Sequence, residues 1–152
     1  MTAQPPHPAH PAYTARIPAD IPPGFNPIFR VSPALDTLGN FFSRGVGAEL
    51  EIGLLVDARH TNSGGNLHGG VIATLADTGM GYLLAFATDP PRRLVTVSLG
   101  VDYIASAAIG DWITFSLNSS DTKQRHIFAT ASLHAKQTTI ARVRAVFSTA
   151  NQ

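Results

Sequence analysis

Asp77 is the residue whose surroundings most strongly indicate chemistry. It is the only charged residue in the apolar segment 69–86, which has the sequence GGVIATLADTGMGYLLAF. Burying a carboxylate among apolar side chains costs free energy, so such a group usually has either a partner or a function. No arginine lies within one helical turn of Asp77. We therefore expect Asp77 to be a catalytic carboxylate, with pairing to a buried arginine as the structural alternative.

Polar and glycine residues cluster just before this carboxylate, in the segment NSGGNLHGGVIATLAD. Gly69 and Gly70 stand where the apolar segment begins. The free N–H groups at the start of a helix suit an anion, or a carbonyl oxygen that develops charge, and glycine lets the backbone approach a ligand closely. Asn62 can donate a second hydrogen bond to such an oxygen. Plain turns would equally explain the glycines and Asn62, and a cap or core position would explain His68.

The segment that carries Asp77 is predicted to be a buried helix, because it is apolar on nearly all sides. Its length is just sufficient to cross a membrane. Its internal polar residues and glycines, together with the strands predicted around it, favour the core of a globular domain instead.

Alternating apolar residues predict strands on both sides of this helix. Residues 42–57 predict one long strand or two successive strands, and Ser32-Pro33 marks the start of a short helical turn within residues 25–38. Four alternating segments follow the long helix. Their apolar faces are Val95, Val97, Leu99, Val101 and Tyr103; Ile113, Phe115 and Leu117; Ile127, Ala129, Ala131, Leu133 and Ala135; and Ala141, Val143, Ala145 and Phe147. This order predicts an α+β fold, with a long antiparallel β-sheet wrapped around one central buried α-helix.

The composition narrows the possible functions. A chain of 152 residues fits one domain, and its net charge of +1, with basic residues scattered along the sequence, does not indicate nucleic-acid binding. The absence of cysteine excludes disulfides, thiolate catalysis and cysteine-based zinc sites. Residues 1–24 hold seven of the eleven prolines. We expect them to form a flexible arm before a single domain over residues 25–152, and the lack of a signal-like segment favours a cytoplasmic location.

Taken together, Asn62, the triplet His68-Gly69-Gly70 and Asp77 resemble the phenylacetyl-CoA (PaaI-like) branch of the hotdog-fold thioesterases. The resemblance covers residues 40–149 and includes the segment TVSLGVDY, in which Thr96 falls where the family has a Ser or Thr near the catalytic acid. Many members continue with Leu-Arg-Pro, whereas this chain has Ile104-Ala105-Ser106. If that arginine binds CoA in the family, the contacts to CoA differ here.

The resemblance implies a hotdog fold and hydrolysis of an aryl- or short- to medium-chain acyl-CoA. Asp77 would be the general base or the nucleophile, and the Gly69 N–H would polarise the thioester carbonyl. Asn62, His68 and Thr96 would assist them, without a metal or a cofactor other than the CoA of the substrate. We expect Gly70, Leu75, Met80 and Leu84 to line the acyl site, and the loop cations Arg92, Arg93, Lys123 and Arg125 to bind the phosphates of CoA.

Helix geometry adds a prediction about assembly. Gly69 and Asp77 are eight positions apart, which corresponds to about 12 Å along a helix. One thioester carbonyl cannot contact both groups of the same helix, so the two must come from different subunits. We therefore expect a homodimer with composite active sites, and the resemblance extends this to a homotetramer. No membrane and no nucleic acid is expected as a partner.

Three other function classes remain open on the same fold. A hydratase or dehydratase would change an acyl thioester without releasing CoA, although its usual Asp and His spacing is not found in this sequence. A non-catalytic acyl-CoA binder would have little reason to retain a buried acid. A purely structural oligomer is what remains if the protein neither binds nor turns over an acyl-CoA.

Overall fold

The computed structural model describes residues 21–30, 32–121 and 125–149. Lys123 and most of the predicted N-terminal arm lie outside these residues. The elements, in chain order, are β1 (Asn26–Pro27), α1 (Pro33–Leu38), β2 (Phe41–Arg44), β3 (Glu51–Leu55), α2 (Gly69–Phe86), β4 (Leu94–Tyr103), β5 (Trp112–Asp121), β6 (His126–Ala135) and β7 (Thr138–Thr149).

All seven strands form one antiparallel sheet, in the order β1-β2-β3-β5-β6-β7-β4. The sheet encloses α2, whose core-facing side chains pack against the apolar faces predicted for β5, β6 and β7. Arg142 and Arg144 point away from this core, as alternation requires. The predicted α+β arrangement, a long antiparallel sheet around one central helix, is confirmed.

The connections before α2 follow local sequence signals. Ser32 caps α1 by accepting a hydrogen bond from the Leu35 N–H at 3.3 Å, and Pro33 occupies the first turn, as predicted. The segment 42–57 forms two strands rather than one long strand. They are separated at Gly45, which has a φ of +75° and no room for a side chain against the Glu49 carbonyl.

Helix α2 has the predicted bounds and is amphipathic in its packing. Its residues Val71, Ile72, Leu75, Ala76, Gly79, Met80 and Leu84 are buried, whereas the face that carries Asp77 is half-buried. By length and composition α2 is the one helix of the described chain that could cross a membrane. A core helix passes the same test, and the sheet packed on its buried face accounts for its apolar residues.

Strand β4 corrects one sequence-based prediction. Val95, Val97, Leu99, Val101 and Tyr103 were expected on one face, but the register against β7 shifts between Thr96 and Ser98. This β-bulge reverses the alternation. Thr96 therefore pairs with Phe147 and turns toward α2, although its side chain stays exposed, and Val95 and Val97 are 57% and 58% exposed on the other side of the strand.

A second apolar cluster lies apart from the main core. Ile21 and Phe25 pack there against Phe42 and Leu55, and the ring of Trp112 contacts Phe25 edge-on at 4.9 Å. Ile21 belongs to the predicted arm, so the described packing begins before residue 25. For residues 1–20 the flexible arm stays a prediction.

Candidate active site

The first turn of α2 leaves one backbone donor free. His68 caps the helix, because its Nδ1 accepts a hydrogen bond from the Gly70 N–H at 2.8 Å. The next two N–H groups, of Val71 and Ile72, donate to the His68 carbonyl at 2.9 and 3.1 Å. The Gly69 N–H has no partner in the described part of the chain, so Gly69 rather than Gly70 offers the unused donor.

The direction of this donor follows from the same hydrogen bonds. In a trans peptide the C=O and the following N–H point in opposite directions. The His68 carbonyl points into the helix, so the Gly69 N–H points out of its N-terminus, where the helix dipole favours negative charge. This donor is suited to an oxyanion.

Asn62 organises the loop that precedes the helix. Its Oδ1 accepts hydrogen bonds from the N–H groups of Gly64 and Asn66, at 2.9 and 3.2 Å. These contacts match the turn interpretation considered from sequence. The Nδ2 group of Asn62 is exposed and makes no hydrogen bond within the described residues, so it is available as a second donor. His68 caps the helix and makes none of the described contacts to Asn62.

His60 supports this loop and was not predicted from the sequence. Its side chain is completely buried, with Nδ1 accepting from the Asp57 N–H at 2.9 Å and Nε2 bonded to the Leu38 carbonyl at 2.8 Å. Its own carbonyl accepts from the His68 N–H at 2.8 Å. His60 therefore ties the residue that caps α2 to the end of α1. A single histidine in a loop carries no periodic signal from which these contacts could be expected.

Asp57, beside His60, is held in its charged form. Burial acts to raise the pKa of the Asp57 carboxyl, but hydrogen bonds from the Arg59 side chain and backbone outweigh it, so the pKa is lowered. Asn40 also donates to this carboxylate at 2.9 Å. These contacts fix the turn that positions His60.

Asp77 is positioned by β4. The Thr96 hydroxyl donates to Asp77 Oδ1 at 2.7 Å, and this pair is possible because the bulge turns Thr96 toward the helix. Asp77 is half-buried and keeps its second carboxylate oxygen for another partner. The predicted proximity of Thr96 to the acid is present in the structure.

Tyr103, at the other end of β4, contacts Gly69, the residue whose N–H is free. Its hydroxyl donates to the Gly69 carbonyl at 2.9 Å. A side chain at position 69 would lie 3.2–3.3 Å from the end of the Tyr103 ring, so glycine permits this close approach. From the sequence, Tyr103 was predicted only as part of the apolar face of its strand.

The remaining predicted site residues fall into two groups. Leu75, Met80 and Leu84 are enclosed in the core, so a role for them as walls of an acyl pocket stays a prediction. The second group consists of predicted CoA-binding cations at one end of the sheet, namely Arg92, Arg93 and Arg125. Thr149 connects them, because it pairs with Leu94, the residue after Arg93, and donates its N–H to the Arg125 carbonyl. This is the end at which α2 finishes, since the Arg92 N–H donates to the Ala85 carbonyl at 3.0 Å.

No group of three His, Asp or Glu side chains in the described ranges could hold a metal ion. The site instead offers a carboxylate, a free backbone N–H at a helix N-terminus and a side-chain amide. A long helix wrapped by an antiparallel sheet is the arrangement of a hotdog-fold protein. The carboxylate, the free N–H and the amide lie at the start and middle of that helix and are suited to acyl chemistry.

The comparisons with known proteins identify the family. The family model described as "Thioesterase superfamily" matches residues 64–141. The chain therefore belongs to the thioesterase superfamily and is a thioester hydrolase.

Individual relatives agree with this assignment. A Pseudomonas aeruginosa protein named "Putative esterase PA0474" is 43% identical over 129 residues, covering 84% of this chain and 96% of its own length. Mouse acyl-coenzyme A thioesterase 13 is 31% identical over 83 residues, covering 55% of this chain and 59% of its own. The Escherichia coli PaaI protein shares the fold, with a TM-score of 0.67 at 18% identity, over 79% of this chain and 86% of that one.

Proposed function

We propose that this protein hydrolyses an acyl-CoA at a site formed by the Gly69 N–H of one subunit and the partner subunit's Asp77. The observation that carries the proposal is the unused Gly69 N–H at the start of the helix that also presents Asp77, held by Thr96. Acyl-CoA is the substrate class because a relative, the mouse protein, is named for it.

In this mechanism the thioester oxygen accepts hydrogen bonds from the Gly69 N–H and from Asn62 Nδ2. Both hydrogen bonds become stronger as negative charge develops on that oxygen. Gly70 contributes through its backbone to the helix cap, because its N–H is used by His68. His68 therefore supports the site by shaping the first turn.

The Asp77 carboxylate can act in either of two ways, as a general base or as a nucleophile. As a general base, Asp77 takes a proton from water while the water oxygen bonds to the carbonyl carbon, and collapse of the adduct breaks the C–S bond. The departing thiolate of CoA then takes that proton. As a nucleophile, Asp77 forms an acyl anhydride as the thiolate leaves. Water then cleaves the anhydride into the free acid and the Asp77 carboxylate, and the remaining proton of that water passes to the thiolate.

Assembly of a homodimer through β4 would bring the two groups together. Strand β4 is an edge of the sheet and exposes Val95 and Val97, a combination typical of a surface that pairs with another strand. Thr96 at its start holds Asp77, and Tyr103 at its end touches Gly69. If two copies of β4 pair antiparallel about their middle, the start of one lies beside the end of the other. Each Asp77 then approaches the partner's Gly69.

The same pairing suggests where CoA lies. Arg92 and Arg93 immediately precede β4, and Arg125 lies beside them at that end of the sheet. Pairing would place these cations next to the partner's Gly69, where they can bind the phosphates of CoA. Lys123, outside the described residues, is a further candidate. A homotetramer of two such dimers, a cytoplasmic location and a separate N-terminal arm also stay proposals.

The direct experiment measures release of CoA from a panel of aryl- and fatty-acyl-CoAs by wild type, Asp77→Asn and Asp89→Asn. Both substitutions remove a carboxylate at constant size, but Asp89 is exposed in the loop after α2. We expect Asp77→Asn to lose most of the rate and Asp89→Asn to retain it. CoA release that is unaffected in Asp77→Asn would refute the catalytic assignment. Binding of acyl-CoA without turnover, or conversion without CoA release, would favour a binder or a hydratase.

Mixing two variants tests the composite site. Gly69→Ala keeps the N–H, but its Cβ would lie 3.2–3.3 Å from the Tyr103 ring, so we expect the first turn to shift and this variant, like Asp77→Asn, to be inactive alone. In a mixed dimer of Asp77→Asn with Gly69→Ala, one site carries both substitutions and the other carries neither. Random mixing should therefore restore about a quarter of the wild-type sites. If both groups acted within one chain, every site would carry one substitution and mixing would restore nothing.

A further inference from the structure

Strand β4 contacts both functional groups of α2, at two points along its length. Near its start Thr96 donates to the carboxylate of Asp77, and at its end Tyr103 donates to the carbonyl of Gly69. The contact at the start was expected from the family pattern. The contact at the end has no counterpart among the sequence-based expectations.

The start of α2 needs such a contact because of its composition. Gly69 and Gly70 are consecutive, and glycine restricts the backbone less than any other residue. The first turn of a helix is also the part that frays most readily. A donor stabilises a developing charge well only if its direction is fixed before the reaction. The hydrogen bonds to His68 hold the inner side of this turn, so its outer side requires a separate restraint.

We propose that Tyr103 is a positioning residue that fixes Gly69 so that its N–H keeps the direction required for the thioester oxygen. The proposal rests on the function proposed above. The Tyr103 hydroxyl bonds the Gly69 carbonyl at 2.9 Å, and the end of its ring closes against the Gly69 Cα, where a side chain would be only 3.2–3.3 Å away. Tyr103 is 56% exposed, so burial of its ring in the core does not explain why it lies against Gly69.

The chain offers a matched control for this residue. Tyr82, on α2, also donates its hydroxyl to a backbone carbonyl, that of Arg30, at 3.1 Å. It packs with Phe29 and Phe86 and takes no part in the proposed site. Tyr82→Phe and Tyr103→Phe therefore remove the same atom and the same kind of hydrogen bond, in the first case remote from Gly69.

The experiment compares kcat, KM and the thermal midpoint of wild type, Tyr103→Phe, Tyr82→Phe and Asp77→Asn. A neutral hydrogen bond of ordinary strength corresponds to about a three- to ten-fold change, so we expect kcat of Tyr103→Phe to fall by that factor. Its KM and thermal midpoint should stay at the wild-type values, because ground-state binding and folding do not depend on this bond. Tyr82→Phe should keep the wild-type kcat.

The outcomes separate this proposal from the proposed function. If Asp77→Asn is inactive while Tyr103→Phe keeps the wild-type kcat, the positioning role is refuted and the thioesterase mechanism stands. A fall in kcat that is matched by Tyr82→Phe, or that is accompanied by a lower thermal midpoint, also overturns the proposal, because the bond is then merely structural. If Asp77→Asn remains fully active, the proposed mechanism itself fails.

Discussion

The hydrogen bond between Thr96 and Asp77 allows a quantitative test of how the carboxylate is held. Thr96→Val replaces the hydroxyl by a methyl group at nearly constant shape and keeps a residue that favours strands. The bond is 2.7 Å long and its acceptor is a carboxylate. Such bonds contribute about 1.5–3 kcal/mol, which corresponds to about a 10- to 150-fold loss in kcat/KM if the orientation of Asp77 depends on it.

The assay is steady-state release of CoA from the best substrate of the panel, with Thr96→Ser as the control. Serine keeps a hydroxyl at the same position, so most of the activity should return. Thr96 is exposed, so the thermal midpoint of Thr96→Val should change little. Wild-type kcat/KM in Thr96→Val, or an equal loss in Thr96→Ser, would show that this hydroxyl does not orient the catalytic group.

Two further predictions concern stability. His60→Phe removes the partners of the part-buried Asp57 N–H and Leu38 carbonyl, which should lower the free energy of unfolding by about 1–3 kcal/mol in urea titrations; an unchanged value would contradict this. Hydrogen bonding from the Ala108 N–H, with Lys136 nearby, lowers the pKa of Asp111 in the folded protein. Its contribution to stability is therefore complete above the unfolded-state pKa of about 3.9 and is lost as the pH falls through the lower folded-state pKa. Asp111→Asn should lower the thermal midpoint at pH 7 and much less at the acid end, and an equal loss at both would refute the linkage.

The sequence by itself determined the elements whose signals are local. The apolar segment 69–86 has the bounds of α2 because glycines mark its start and its composition requires burial. Alternation predicted the buried faces of β5, β6 and β7, since side chains of a strand alternate between its two sides. Spacing along α2 also led to the prediction that Gly69 and Asp77 of one chain cannot both contact one thioester carbonyl.

Only the tertiary structure decided which side chains support these groups. Alternation placed Thr96 on the opposite face from Leu99, and the bulge against β7 brought both to the side of the sheet that faces α2. Tyr103 reaches Gly69, and His60 reaches Leu38, across long separations in sequence. A periodic pattern reports which face of an element is apolar, but a bulge and a long-range hydrogen bond depend on the neighbouring element. The candidate catalytic groups could therefore be proposed from the sequence, whereas the contacts that hold them followed from the fold.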